Sequence, residues 1–343
     1  MYEDHYGLTD RPFQLTPDPR FWFESATHRK AMAYLGYGMA QGEGFIVITG
    51  EIGAGKTTLV AHLMATIDPQ RLSAVNLVTT QVEGDALVAL TAQAFGIATQ
   101  GLGKAALLAR IETFLIDQAR TGKRTLLIVD EAQNLAHAAL EELRMLSNFQ
   151  SGGQSLLQIL LVGQPEFREQ LVSSDRLEQL RQRVIATHHL EPMGQAEVGP
   201  YMLHRLARAG WKGNPDLTSA AYDAFYRHSR GIPRRLNQIA GRVLLAAAVE
   251  QRAMIDAALV DMVATEMDSD ANRAPILLDE QMMLDAVGTP PRADAALEQR
   301  LATLEARQGE TETALQRVLD LLIDWVEGDA PSAQADHAMP NAA

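Results

Sequence analysis

The chain has 343 residues, 47% hydrophobic and 21% charged, with no cysteine. That is the composition of a globular protein of more than one domain, and it excludes disulfide staples and cysteine-ligated zinc. The net charge is −13, yet sixteen acidic against five basic residues lie from Glu266 onward, so the first part is near neutral and the acidic tail is a poor partner for nucleic acid.

In chain order, the start Met1-Tyr2-Glu3-Asp4-His5 is polar and unlike a secretory signal, and no apolar run reaches the length of a membrane span. A cytoplasmic protein with no transmembrane segment is expected. Residues 1–44 read as an N-terminal segment and helix. Phe45-Ile46-Val47-Ile48-Thr49 is a β-branched run followed at once by glycine, the pattern of a buried strand. Similar runs recur at 74–78, 126–129, 157–162 and 184–187, with helical patterns between most of them, such as Lys104 to Arg120 and Ala138 to Phe149. Alternating strands and helices imply an α/β domain with a parallel sheet covered on both faces, here 45–192.

After Leu190-Glu191-Pro192 the strand signals stop. Four helical segments, about 195–209, 218–229, 233–250 and 256–267, predict a small all-helical domain over 193–267. A linker at 268–293 leads to a helix at 294–327. There Leu297, Leu301, Leu304, Gln308, Thr311, Leu315, Val318, Leu322 and Trp325 are spaced alternately by four and three. That is a heptad seam about 40 Å long, read as a coiled coil or as an amphipathic helix packed on its own domain. Residues 328–343, rich in Ala, Pro, Asp and Ser, read as disordered.

The chemistry starts at Gly50-Glu51-Ile52-Gly53-Ala54-Gly55-Lys56-Thr57, which fits G-x-x-x-x-G-K-[ST] between a strand and a helix. Glycines let such a loop curl so that successive N–H groups face phosphate oxygens, and the helix that continues through Thr58 adds its positive N-terminal end. Lys56 would meet the β- and γ-phosphates of ATP and Thr57 would offer a hydroxyl to Mg²⁺. The run 126–129 ends in Asp130-Glu131. Asp130 would hold a magnesium-bound water and Glu131 would polarise the attacking water. Gln164, after the strand 157–162, is placed to sense the γ-phosphate. Arg181 and Arg183, just before the last strand, are candidates for a finger reaching a neighbouring subunit's ATP, and Arg234 for reaching back over the γ-phosphate, with Arg235 facing solvent. His188 and His189 are adjacent on a strand and point to opposite faces, so they read as structural, and Mg²⁺ is the one metal expected.

Tyr6-Gly7-Leu8, Arg11-Pro12-Phe13, Leu15-Thr16-Pro17-Asp18-Pro19, the glycine-rich loop, Asp130-Glu131-Ala132-Gln133, Gly163-Gln164-Pro165-Glu166 and Gly231-Ile232-Pro233-Arg234-Arg235-Leu236-Asn237 together resemble the ExeA/GspA group of AAA+ ATPases. Within it, Gln41-Gly42-Glu43-Gly44-Phe45 and 141–150 look most like the ATPases associated with the exosortase A/PEP-CTERM system. The resemblance covers roughly Met1 to Met267. It implies a P-loop AAA+ core with a helical lid, with Gln164 as first sensor, Arg183 as the favoured finger, Arg234 as second sensor, and residues 13–19 near the adenine.

The secretion members carry a membrane-spanning helix and a peptidoglycan-binding region after the ATPase, and neither is read here, so that activity is not carried over. The expected function is an ATP-hydrolysing assembly or regulatory motor in envelope export or exopolysaccharide secretion. It would be a homo-oligomer, a hexameric ring among the options, docked through its tail on an inner-membrane or export partner and peripheral to that membrane. The alternatives are a nucleic-acid-dependent ATPase resembling transposition helpers and a nucleotide-gated scaffold with little turnover.

Overall fold

The structure, a computed structural model, describes residues 2–78 and 83–272. Most of the expected linker, the heptad helix at 294–327 and the tail at 328–343 lie outside the described residues.

In chain order, α1 (Tyr2–Tyr6) and α2 (Ala26–Gln41) precede β1 (Phe45–Gly50). There follow α3 (Lys56–Thr66), β2 (Leu72–Val78), α4 (Gly84–Ala94), α5 (Lys104–Arg120), β3 (Arg124–Asp130) and α6 (His137–Leu146). A hairpin of β4 (Gln150–Ser151) and β5 (Gln154–Ser155) leads to β6 (Leu157–Gly163), α7 (Pro165–Ser173), α8 (Glu178–Arg181) and β7 (Val184–Leu190). The remainder is α9 (Gln195–Arg208), β8 (Asp216–Leu217), α10 (Ser219–Ser229), α11 (Pro233–Val249), β9 (Met254–Ile255) and α12 (Ala257–Asn272).

The five expected strand runs form one sheet in the order β2-β3-β6-β1-β7, every neighbouring pair parallel. Burial explains their composition. The central strands β1 and β6 are buried at every residue, so they read as nearly continuous apolar runs, broken within β6 by Gln158, whose Nε2 donates to the Gly38 and Glu43 carbonyls, whereas the edge strands β2 and β7 are half-buried and carry polar residues. Successive side chains point to opposite faces. Phe45 and Val47 therefore join the core under α4, α5 and α6, while Ile46 and Ile48 join the core under α2 and α3. All five strands run the same way, so Gly50, Asp130, Gly163 and Leu190 end at one edge of the sheet. That carboxyl edge is where open α/β sheets bind ligands.

A third core belongs to α9–α12, and it takes in Tyr6, Leu8 and Phe13 from the N-terminal segment. The first residues of the chain thus pack against the last described helices, with the Tyr6 hydroxyl donating to the Arg252 carbonyl at 3.0 Å.

Three expectations need correction. The helix expected at 138–149 ends at Leu146, because the chain turns into the β4–β5 hairpin that precedes β6. The helical domain is not wholly helical: β8 and β9 pair in parallel, as the chain leaving Pro215 meets the chain leaving Arg252. The last described helix runs through Asn272, into the expected linker, since no glycine or proline interrupts 268–272.

Gly231, between α10 and α11, packs against the segment by which the chain enters the helical domain after β7. Its φ is +74°, its carbonyl accepts from the Met193 N–H at 2.9 Å, and a Cβ there would lie 2.0 Å from the Met193 carbonyl oxygen. Gly231→Ala is expected to cost about 3 kcal/mol or more of stability, combining left-handed backbone strain with a clash against main chain. Denaturant unfolding measures this directly, and an unchanged midpoint would show that the junction yields.

Candidate functional site

A cleft of about 390 Å³ opens at the carboxyl edge of the sheet, between the loop after β1, the N-terminal segment and the helical domain. Its floor is the loop from Gly50 to Thr57. Gly53 and Gly55 adopt φ of +85° and +99°, conformations that side chains resist. Gly55 caps α3 with no side-chain hydrogen bond, so the first N–H groups of that helix, from Lys56 through Thr58, have no partner within the helix and form an anion-binding end. Ala54 and Gly50 are buried beneath the loop, Glu51 is exposed, and Ile52 is 62% exposed at the rim.

Lys56 is only 6% exposed. Its Nζ donates to the carbonyls of Gly50 at 2.7 Å and Glu51 at 3.1 Å. Burial holds its pKa below the usual lysine value, opposed by the nearby carboxylates of Glu131 and Asp130. Asp130 ends β3 and is 3% exposed. Burial raises its pKa, opposed by the Glu131 N–H, which donates to Oδ1 at 2.9 Å, and by Lys56. The Thr57 hydroxyl lies 3.5 Å from Asp130 Oδ2. A hydroxyl beside a carboxylate is a hard oxygen donor set that suits Mg²⁺. Among the described residues no three His, Asp or Glu side chains converge as a metal site, so an ion here would take most of its ligands from phosphate and water.

Glu131 adopts the left-handed region, φ 57° and ψ 43°. Its Oε2 accepts from Gln133 Nε2 and, at 3.3 Å, from Gln164 Nε2. Gln164 follows β6, which lies between β1 and β3, so it stands between the glycine-rich loop and the Asp130-Glu131 pair. Arg234 lies in the first turn of α11, after Pro233; its backbone N–H donates to the Gly53 carbonyl at 3.1 Å and its side chain lines the cleft. Arg235 lies at the surface, where it pairs with the exposed Asp268 of α12.

Arg181 and Arg183 are not in this cleft. Arg181 Nη1 donates to the Val172 carbonyl at 2.8 Å and Arg183 Nη1 to Ser147 Oγ at 3.1 Å. Arg183 precedes Val184, which pairs with Phe45 at the start of β1, whereas the glycine-rich loop follows the end of β1. The strand's length, about 20 Å, separates that end from the loop. His188 stacks on Tyr34 with ring centroids 5.2 Å apart, and His189 Nδ1 shares a 3.0 Å hydrogen bond with Thr49 Oγ1.

The other wall comes from Gln14, Leu15, Thr16 and Pro17 with Trp22 and His28. His28 sits in the first turn of α2, where Ser25 Oγ meets its Nδ1 at 2.8 Å, and burial pushes its pKa down to about 4. Arg205, 7% exposed, anchors this wall: Nε donates to the Pro12 carbonyl at 2.5 Å, Nη2 to the Gln14 carbonyl at 3.3 Å and Nη1 to the Tyr201 hydroxyl at 3.2 Å. Tyr201 in turn donates to Asn237 Oδ1 at 2.8 Å. The arginine therefore ties the N-terminal segment to α9 and α11.

A phosphate-binding loop after the first of five parallel strands, an acidic pair ending β3, and a polar residue from an interposed strand define one architecture. The chain has the P-loop AAA+ fold. Residues 39–171 match the AAA domain family model. Over 247 residues the chain is 37% identical to General secretion pathway protein A of Aeromonas hydrophila, covering 72% of this chain and 45% of that protein. The chain thus spans less than half of that relative's length. Among solved structures, the ORC2 protein of Aeropyrum pernix with ADPNP and ADP superposes with a TM-score of 0.56 at 17% identity, over 75% of this chain and 71% of that one. Drosophila ORC bound to DNA gives 0.56 at 18%, over 76% and 65%. Both likenesses speak to the AAA+ fold alone.

Sequence reading had not singled out Gln133, His28, Trp22, Arg205, Tyr201 or Asn237 as residues of the AAA+ site. For Arg205 a signal existed: it interrupts the buried stripe Val198, Tyr201, Met202, Leu206 of α9 with a charge, and a charge on an apolar face needs a partner. Gln133 and Asn237 stand within motifs that carry the family resemblance, without a role read for them, and nothing local marked His28, Trp22 or Tyr201.

Proposed function

We propose that this protein binds ATP with Mg²⁺ and hydrolyses it as a subunit of a homo-oligomer, serving assembly or regulation in an envelope-export system. The observation that carries the ATPase reading is the convergence of Lys56, Thr57, Asp130, Glu131, Gln164 and Arg234 at one edge of one sheet. The N–H groups of Gly53 and of Gly55 to Thr58 would cradle the phosphates, with Lys56 turning from its own loop carbonyls to the β- and γ-phosphate oxygens. Thr57 and Asp130 would hold Mg²⁺, which supplies charge neutralisation of the β- and γ-phosphate oxygens when bound. Glu131 would orient a water and take its proton as the water oxygen attacks the γ-phosphorus and the bond to the β–γ bridging oxygen breaks, yielding ADP and phosphate. Gln164 and Arg234 would contact the γ-phosphate from the sheet and the helical domain.

Arg183 lies a strand's length from its own phosphate loop, so as a finger it would act on the ATP of another copy. Arg183→Ala is expected to bind ATP nearly normally and to hydrolyse it at least ~10-fold more slowly. Mixing it with Lys56→Ala should restore part of the activity. Mixed oligomers without rescue, alongside rescue of Arg181→Ala, would transfer the role to Arg181.

The export reading rests on similarity to the secretion protein of Aeromonas hydrophila, and the exosortase/PEP-CTERM setting on sequence resemblance. ATPase rates of the purified full chain, alone, with inner membranes, and with DNA at two salt concentrations, test the whole reading. Stimulation by membranes supports it. Salt-sensitive stimulation by DNA would replace the export setting with a nucleic-acid partner, and absence of turnover under all three conditions would leave a nucleotide-gated scaffold.

A further inference from the structure

Gln133 stands in the short helical turn Ala132–Asn134 that follows Glu131. Its side chain is used at both ends. Nε2 donates to Glu131 Oε2, and Oε1 accepts the backbone N–H of Gln164 at 3.0 Å. Gln164 closes the figure by donating its own Nε2 to the same Glu131 oxygen at 3.3 Å. Two amide side chains and one main-chain N–H thus form a closed circuit between the end of β3 and the end of β6.

The circuit has a physical consequence for the carboxylate. A glutamate at a strand end has several rotamers open to it, and in most of them its oxygens turn to solvent. At Glu131 the backbone is already committed to a left-handed conformation, which is unfavourable for a residue with a side chain. Two donors on one oxygen, each assisted by the carboxylate's charge, then hold the head group toward β6. The Gln133 acceptor meanwhile fixes Gln164 at its main chain, so displacement of the Gln164 side chain by a ligand is felt at Glu131 through the shared oxygen.

We infer that Gln133 is a positioning residue for hydrolysis: it holds the Glu131 carboxylate where the attacking water must be met and couples that position to Gln164. The inference rests on the reading of Glu131 as the water-orienting group. It assigns Gln133 no contact with nucleotide or metal.

The test uses the full chain with Gln133→Ala, Gln133→Glu, Glu131→Gln and the double variant Glu131→Gln/Gln133→Ala. Direct nucleotide binding, steady-state kcat and KM, and single-turnover hydrolysis are measured on each, with thermal melting as a folding control. Gln133→Glu keeps the size and the acceptor for the Gln164 N–H but places a second carboxylate beside Glu131, so it separates the donor's role from space-filling. Gln133→Ala is expected to lower kcat by about 10- to 100-fold, the effect of removing a hydrogen bond to a charged group. KM and nucleotide affinity should stay within about threefold. Gln133→Glu should fall at least as far, and in the Glu131→Gln background Gln133→Ala should add no further loss, because the two residues act as one unit.

The proposal is overturned if Gln133→Ala keeps kcat within twofold, if its loss of rate is matched by loss of binding or of melting temperature, or if the double variant loses the full product of the single effects. The parent reading fails separately. If Glu131→Gln turns over like the unaltered chain, Glu131 is not the water-orienting group; if Glu131→Gln is inactive while Gln133→Ala is not impaired, the role of Gln133 alone is rejected.

Discussion

Replacing Lys56 with alanine is expected to weaken ATP binding by about 100-fold or more, from the loss of charge-assisted hydrogen bonds to two phosphate groups. The side chain is already dehydrated, 6% exposed, and its ammonium donates to the carbonyls of Gly50 and Glu51. Burial pushes its pKa down, with the carboxylates of Glu131 and Asp130 acting against that. An anion arriving over the loop would therefore meet a cation that has little water to shed, which is why the effect should fall on binding and not on a later step. Titration of the full-length variant with ATP and with ADP measures it. Melting of the nucleotide-free variant, measured in parallel, separates loss of affinity from loss of stability at this buried position. An affinity within threefold of the unaltered chain would mean that phosphate is held by backbone alone.

Glu131→Gln should behave in the opposite way, retaining ATP while turnover falls about 100- to 10,000-fold, the range for loss of a positioned acid–base group. The amide keeps the length of the side chain and can still accept from Gln133 and Gln164, so the surroundings should persist. It cannot take a proton from water. Asp130 is left in place beside Thr57, so the expected metal ligands are untouched. Phosphate release in a coupled assay, with bound nucleotide measured in parallel, separates the two effects. Turnover within a factor of three would remove Glu131 from the chemistry, and loss of ATP binding would show that its carboxylate matters for the ground state instead. Lys56→Ala and Glu131→Gln thus divide the site into a part that binds and a part that reacts.

What could be read from the sequence was what depends on neighbours along the chain. The spacing of Gly50, Gly55, Lys56 and Thr57 follows from how tightly a backbone must turn to face a phosphate, and the apolar runs of β1, β3 and β6 follow from burial on both faces of a parallel sheet. The acidic pair after 126–129 was legible because it ends such a run. The helix from Lys104 to Arg120 was likewise legible from its period.

Only the tertiary structure decided what depends on strand order and on packing between distant segments. The insertion of β6 between β1 and β3 brings Gln164 to Glu131 across 33 positions, and the same geometry sends Arg183 to the far end of the sheet. Arg205 reaches back 193 positions to the Pro12 carbonyl, and Tyr6, Leu8 and Phe13 fill a core made by the last four described helices. Periodicity reports which face of an element is buried, but not against what, because every apolar face is satisfied by any other of matching shape. The choice among partners is made by the fold as a whole, where right-handed crossovers and the burial of both sheet faces leave few arrangements open.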